Sequence, residues 1–155
     1  METRSATRPA ETTRKKKVPV VIEADELWSF VGSKKQVFWV WAVLDAETRR
    51  VLAMVVGDRS DFTAECLWMS LPEEIRDHAL CCTDFLLAYQ SVIPAHQHIP
   101  SCKGDGLTNH IERFWCTLRQ RCARFVRKTL SFSKCLENHL GALWYFVNLY
   151  NKSHP

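Results

Sequence analysis

The chain has 155 residues, a net charge of +4, 46% hydrophobic and 25% charged residues, which are the proportions of one ordinary globular domain with its own core. No apolar run reaches the ~18–20 residues of a membrane span, and residues 1–17 contain no apolar segment typical of a secretory signal, so we expect an intracellular protein. The seven cysteines include no C-x-x-C pair, which leaves little support for a zinc site.

The first part of the chain predicts a basic arm followed by an antiparallel meander. Residues 1–17 are polar and basic, which is typical of disorder. Three β-rich segments follow over residues 18–30, 36–44 and 50–56, joined by turns at 32–35 and 45–49. In the first strand, period-two alternation places Asp25 on one face, with Val21, Glu23 and Leu27, and Glu26 on the other, with Ile22, Ala24 and Trp28.

The second part alternates helices and strands. We predict a helix over residues 61–71, capped by Ser60 or Asp61, then a strand over 78–83 that a helical crossover makes parallel to the first. A short helix over 85–93 and a short strand over 96–99 follow. Two further helices follow. The first is capped by Thr108, and the second spans residues 131–151 and buries a stripe formed by Leu136, Leu140, Leu143, Trp144 and Val147. The chain is thus an α/β domain over 18–155, with element order β-β-β-α-β-α-β-α-α, a mixed sheet and helices on both faces.

Three carboxylates occupy positions that suit a metal site. Asp25 lies inside an apolar strand, Asp84 ends another, and Glu112 lies one turn into a basic helix, on a face with Asn109, Cys116 and Arg119. A parallel pairing of the two strands brings Asp25 and Asp84 together. Carboxylate oxygens are preferred ligands of Mg²⁺, and two such ions can assist displacement at a phosphodiester. Glu23 shares the face of Asp25, and the sequence favours a surface role for it.

Basic residues concentrate in the second half of the chain. Residues 18–102 contain six basic and twelve acidic residues, whereas residues 103–134 contain eight basic and two acidic ones. This pattern suits a surface that contacts DNA phosphates without reading sequence, although a solvated helix face explains it equally well, and His110 has packing as an alternative role. The candidate DNA-binding residues are Lys34, Lys35, Asn109, His110, Arg113, Arg119, Arg121, Arg124, Arg127 and Lys128.

Four segments carry a family resemblance: DELWSFVGSKK, the run from Thr83 to Pro94, GLTNHIERFWCTLRQRCAR and RKTLSFSKCLENHLGALWYF. They lie between residues 25 and 146 and resemble the insertion-sequence-one family of bacterial and archaeal transposases, which are DDE enzymes with a ribonuclease-H-like catalytic domain. The resemblance implies that Asp25, Asp84 and Glu112 form the catalytic triad. It also implies that Arg119, seven positions after the glutamate, reaches a DNA phosphate.

The resemblance further implies a two-metal phosphoryl transfer on double-stranded DNA. Two Mg²⁺ ions, for which Mn²⁺ substitutes, would assist cleavage at an element end to free a 3′-OH, which then attacks target DNA. We expect a homo-oligomer on DNA, in the cytoplasm at the nucleoid. The zinc-finger and helix-turn-helix region of full-length relatives has no counterpart in residues 1–17, which predicts a catalytic half that depends on a separate or fused N-terminal recognition region.

Two other functions are compatible with the sequence. A truncated or decayed transposase can act as a DNA-binding or assembly protein without catalysis, and a general nuclease can use the same fold. A tyrosine recombinase would require a mainly helical catalytic domain, against which the three-stranded meander argues.

Overall fold

A computed structural model describes residues 19–102 and 104–155 of the chain. The predicted basic arm, residues 1–17, and Val18 lie outside the described residues. Among the helices that are described, none is long and apolar enough to cross a membrane.

The centre of the fold is a five-stranded mixed sheet. Its strands are β1 (Val21–Val31), β2 (Ser33–Asp45), β3 (Val51–Gly57), β4 (Leu80–Thr83) and β5 (His98–Pro100), in the spatial order β3-β2-β1-β4-β5. The first three strands form the predicted antiparallel meander, and β4 adds parallel to β1. Residues 33–35, predicted to lie in the turn, belong to β2, because Gly32 alone reverses the chain with a φ of 73°.

The helices are α1 (Asp61–Met69), α2 (Glu73–His78), α3 (Leu87–Val92), α4 (Asn109–Arg121) and α5 (Leu136–Lys152), with a 3-10 turn at Ala123–Phe125. The sequence analysis missed α2. Its short segment follows Pro72 and carries acidic residues in the first turn and basic ones in the last, which complements the helix dipole. Ser60 caps α1 as predicted, accepting the N–H of Thr63.

Helices cover both faces of the sheet, as predicted. One core packs Leu27, Val40 and Leu44 against α4 and α5, and the other packs Ile22, Ala24 and Trp41 against α1 and α3. The alternation along β1 therefore assigned its apolar residues to the correct faces. This mixed sheet and its covering helices are consistent with a ribonuclease-H-like fold.

The last helix differs from its prediction in start and rotation. It begins at Leu136 rather than at residue 131, and its buried residues are His139, Leu143, Phe146, Val147 and Tyr150. Leu136 and Trp144 were predicted to be buried but are exposed. The rotation follows from His139, whose ring nitrogens lie 2.9 Å from Ser133 Oγ and 3.1 Å from Ser29 Oγ and so fix the helix against β1.

Candidate active site

The carboxylates of Asp25 and Asp84 meet where β4 leaves the sheet. The pairing of β1 with β4 ends at Glu23 and Cys82, so the edge of β1 is open beside the next residues. There, ligand oxygens of Asp25, Glu26 and Asp84 all lie within 4.8 Å of one another. Asp84 Oδ1 accepts the N–H of Leu86 at 2.9 Å, which orients this carboxylate at the start of the connection to α3.

Glu26 is a site residue that the sequence analysis missed. Its side chain is only 2% exposed. Arg59 donates from Nε and Nη2 to Oε1, at 3.0 and 2.6 Å, and the hydroxyl of Tyr89 donates to Oε2 at 3.0 Å. Strand alternation assigned Glu26 to the face opposite Asp25, and its partners do lie on that face. The carboxylate nevertheless reaches the cluster, since β4 no longer flanks this side of β1.

Glu23 positions the helix that carries Glu112. The structure corrects the expected surface role, since Glu23 is only 2% exposed. Its Oε2 accepts the N–H of Ile111 at 2.8 Å, and its Oε1 lies 2.6 Å from His110 Nδ1. A β1 carboxylate thereby supplies the N-terminal cap of α4, which suits the positive end of the helix dipole. Thr108 occupies the N-cap position as predicted, but its side chain makes no capping bond and donates instead to Glu112 Oε1 at 3.1 Å.

A cleft of about 720 Å³ opens beside the three carboxylates. Glu112, Cys116 and Arg119 line its α4 side, and Arg59 and Arg127 also line it. Three of the four residues on the predicted face of α4 therefore line the cleft, with Glu112 one helical turn from Cys116 and two turns from Arg119, whereas Asn109 lies outside it. The acidic cluster thus has a further carboxylate and several guanidinium groups around one cavity.

Burial and mutual repulsion favour proton or cation uptake by the carboxylates. Burial, then the neighbouring charge of Glu26, raises the pKa of Asp25 to about 7. Burial is also the main cause that raises the pKa of Glu26, although Arg59 and Tyr89 oppose it. On the α4 side of the cleft, burial and then the like charge of Arg127 lower the pKa of Arg119. A bound cation would relieve the repulsion among the carboxylates, and an anion would relieve that between the two arginines.

Three buried polar atoms lack a hydrogen-bond partner among the described residues: Ser101 Oγ, Trp115 Nε1 and Arg119 Nε. All three residues line this same cleft. Each atom carries a proton to donate, but each is enclosed by protein, so an occupant of the cleft would contact them only after neighbouring side chains shift. Unpaired buried donors are uncommon in native structures, which makes their shared location informative.

The predicted DNA-binding residues separate into different parts of the surface. Arg119 and Arg127 face the cleft, whereas Arg121 and Arg124 line another depression with Lys134, which the sequence analysis missed. The exposed Lys34 and Lys35 follow Gly32, whose N–H donates to the carbonyl of Ser133 at 2.7 Å beside that depression. The remaining candidates, Asn109, His110, Arg113 and Lys128, lie outside both cavities, with Asn109, Arg113 and Lys128 exposed and His110 held by Glu23.

His98 supports the chain next to Asp84. Its Nε2 lies 2.6 Å from Thr83 Oγ1, and that hydroxyl donates to the carbonyl of Asp84 at 2.7 Å. Since the hydroxyl proton is used, Nε2 of His98 is the donor in this pair. This chain of contacts fixes the backbone where β4 ends.

The donor set of the cleft fits a hard divalent cation. Three carboxylates within 4.8 Å offer oxygen ligands alone, which are preferred by Mg²⁺ and Mn²⁺ rather than by soft metals. The raised pKa of Asp25 agrees with a group that a cation would stabilise in its charged form. Asp25, Glu26, Asp84 and, across the cleft, Glu112 are the residues available to hold such ions.

Comparison with known proteins identifies the family. A family model described as IS1 transposase matches residues 18–152. The chain is 36% identical over 129 residues to the insertion element iso-IS1n protein InsB of Shigella dysenteriae, which covers 83% of this chain and 94% of the relative. It is also 36% identical over 132 residues to the insertion element IS1 4 protein InsB of Escherichia coli strain K12, covering 85% and 76%. These matches support a role in transposition, and the chain belongs to the IS1 transposase family.

Proposed function

We propose that this chain is a DDE transposase that cuts and joins DNA by two-metal phosphoryl transfer, on a ribonuclease-H-like domain. The observation that carries the proposal is the single cleft lined by Asp25, Asp84 and Glu112 together with Arg119. Carboxylates supply the cation ligands and guanidinium groups hold phosphates, so both parts of the chemistry have side chains in one cavity.

In this proposal Asp25, Asp84 and Glu112 would together hold two Mg²⁺ ions. When bound, the ions activate the attacking oxygen and neutralise charge that develops on the phosphate and the leaving oxygen. Residues of this chain have separate tasks: Leu86 N–H orients Asp84, the Glu23 cap fixes the start of α4, and the guanidinium of Arg119, which lines the cleft, would contact a phosphate oxygen. In the first step water hydrolyses the phosphodiester at the element end and yields a 3′-OH; in the second step this hydroxyl attacks a phosphorus of the target strand and displaces that strand's 3′-oxygen.

The DNA partner is proposed on charge and position. Arg119 and Arg127 would hold the backbone next to the carboxylates, and the basic depression with Arg121, Arg124 and Lys134 would hold duplex further away. Because transposition joins two element ends to one target, we propose an oligomer assembled on DNA. A separate or fused N-terminal region would recognise the ends.

The experiment is strand transfer by purified protein on a pre-cut duplex with Mn²⁺. Wild type is compared with Glu112→Gln and with Glu137→Gln, a matched control because Glu137 is an exposed glutamate in the first turn of α5. We expect joined products from wild type and Glu137→Gln, and a loss of at least about 100-fold in Glu112→Gln, since the charged ligand is removed from the transition state.

The other two functions give different results in the same assay. A nuclease of this fold would hydrolyse the duplex without joining the donor 3′-OH to target. A DNA-binding or assembly protein would retard the duplex in a gel, yet give no product with Mn²⁺ even when an end-recognition region is supplied. Equal joining by Glu112→Gln and wild type would refute the proposed role of that residue.

A further inference from the structure

Glu26 places a fourth carboxylate in the cleft against the rule of strand alternation. Neighbouring residues of a strand point to opposite faces, yet the carboxylates of Asp25 and Glu26 approach within 4.8 Å of each other and of Asp84. The approach is possible because β4 no longer pairs with β1 beyond Glu23. A buried acid next to two others is unfavourable unless something compensates its charge.

Two donors hold Glu26 in this position from the opposite face of the sheet. Arg59 binds Oε1 through Nε and Nη2, and its guanidinium lies 4.6 Å above the ring of Trp39. Tyr89 reaches Oε2 from the core, where it is 2% exposed and packs edge-on against Trp41. These supports fix the rotamer of Glu26, as partners of metal-binding side chains commonly do.

The count of lone pairs leaves one acceptor site free. Each carboxylate oxygen has two lone pairs. Arg59 uses both on Oε1, and Tyr89 uses one on Oε2. If Glu26 served only as the counter-ion of Arg59, it would not need to lie among carboxylates that raise its energy. The remaining lone pair on Oε2 and the proximity of Asp25 and Asp84 suit a cation that the three carboxylates share.

We propose that Glu26 is a fourth metal-binding carboxylate, acting through Oε2, and that Arg59 and Tyr89 are its positioning residues. The inference rests on the proposed two-metal function and extends its ligand set beyond Asp25, Asp84 and Glu112.

The test is a titration of the DNA-free protein with Mn²⁺, in which electron paramagnetic resonance measures the concentration of unbound ion. Glu26→Gln keeps the shape and can still accept from Arg59, and we expect it to weaken Mn²⁺ binding by at least about tenfold. Tyr89→Phe keeps the packing and removes only the hydroxyl, so we expect a smaller, several-fold loss. Glu47→Gln, an exposed residue in the turn before β3, is the matched control and should bind as wild type does.

The outcomes separate this inference from the proposed function. If Asp25→Asn abolishes Mn²⁺ binding while Glu26→Gln and Tyr89→Phe bind normally, the fourth ligand is wrong and the triad stands. If wild type binds no Mn²⁺, or Asp25→Asn binds it unchanged, the two-metal function itself fails, and the inference with it. Urea unfolding of each variant is measured beside Mn²⁺ binding. If Glu26→Gln lowers stability but leaves Mn²⁺ binding unchanged, Glu26 is only a structural counter-ion of Arg59.

Discussion

Replacing Asp25 by asparagine should stabilise the metal-free protein at alkaline pH. The folded protein raises the pKa of this carboxyl from 3.8 to about 7, through burial and the charge of Glu26. A raised pKa means that the favourable contribution of the protonated group is complete below pH 3.8 and is lost as the pH rises to about 7. Asparagine resembles the protonated form and avoids this loss.

The size of the effect follows from the shift. One pKa unit corresponds to about 1.36 kcal/mol, so the full shift amounts to about 4 kcal/mol above pH 8. Water in the open cleft screens the half-buried carboxylate of Asp25, which reduces our expectation to roughly 2 kcal/mol. Below pH 4 the variant and wild type should differ little, since both side chains are then neutral.

The assay is urea unfolding at pH 4, 6 and 8 with a chelator present, and again with saturating Mg²⁺. Binding at 100 times the dissociation constant stabilises a native protein by about 2.7 kcal/mol, so Mg²⁺ should stabilise wild type and leave Asp25→Asn unchanged. Asp77→Asn is the control, because Asp77 is an exposed aspartate in α2. A variant no more stable than wild type at pH 8 without metal would refute the argument that burial and the neighbouring charges destabilise the ionised carboxylate of Asp25.

Three further predictions concern the supports of the site and the fold. Glu23→Ala should cost about 3 kcal/mol in urea unfolding, because two donors on α4 lose a buried charged acceptor; a loss below about 1 kcal/mol would show that water replaces the carboxylate. Burial lowers the pKa of His139 from 6.5 to about 4, so stability should fall by roughly 3 kcal/mol as the pH drops through this range. The free energy of unfolding of His139→Gln should lack this pH dependence. An equal loss of stability in the variant over the same pH range would mean that other groups cause it. Asn151→Ala should lower the free energy of unfolding by about 2 kcal/mol, because this side chain makes two 2.9 Å hydrogen bonds to the backbone of Val51. The control Asn148→Ala, at an exposed position, should change it little. Equal losses in the two variants would contradict this reasoning.

Sequence periodicity predicted several elements of the fold well. The three strands of the meander and the shared face of Glu112 and Arg119 follow from periods of two and 3.6 residues. The parallel pairing of β4 with β1 also followed from the crossover between them. That pairing alone is enough to predict that Asp84 lies beside Asp25.

The features that sequence could not predict depend on contacts across the chain. Glu23 caps α4 through Ile111, 88 residues away, and no local pattern distinguishes such a buried acid from an exposed one. The sequence separated the carboxylate of Glu26 from that of Asp25, yet the two lie within 4.8 Å. Alternation assumes a strand with a neighbour on each side, and β1 loses the β4 neighbour beyond Glu23. The rotation of α5 depends on His139 contacting β1, which its apolar spacing does not record.

The point where β4 leaves the sheet explains why the carboxylates cluster at one position. Open sheets bind ligands beyond the carboxyl ends of their parallel strands, where departing chains leave a crevice. In this chain the crevice exposes two successive β1 carboxylates, adds Asp84 from the end of β4, and faces α4 across the cleft. Crowding the acids costs stability, so the surrounding contacts must hold them: Leu86 on Asp84, Arg59 on Glu26, and the Glu23 cap on the helix of Glu112. A site arranged in this way has its charge repulsion ready to be relieved by cations, which is the property that two-metal phosphoryl transfer requires.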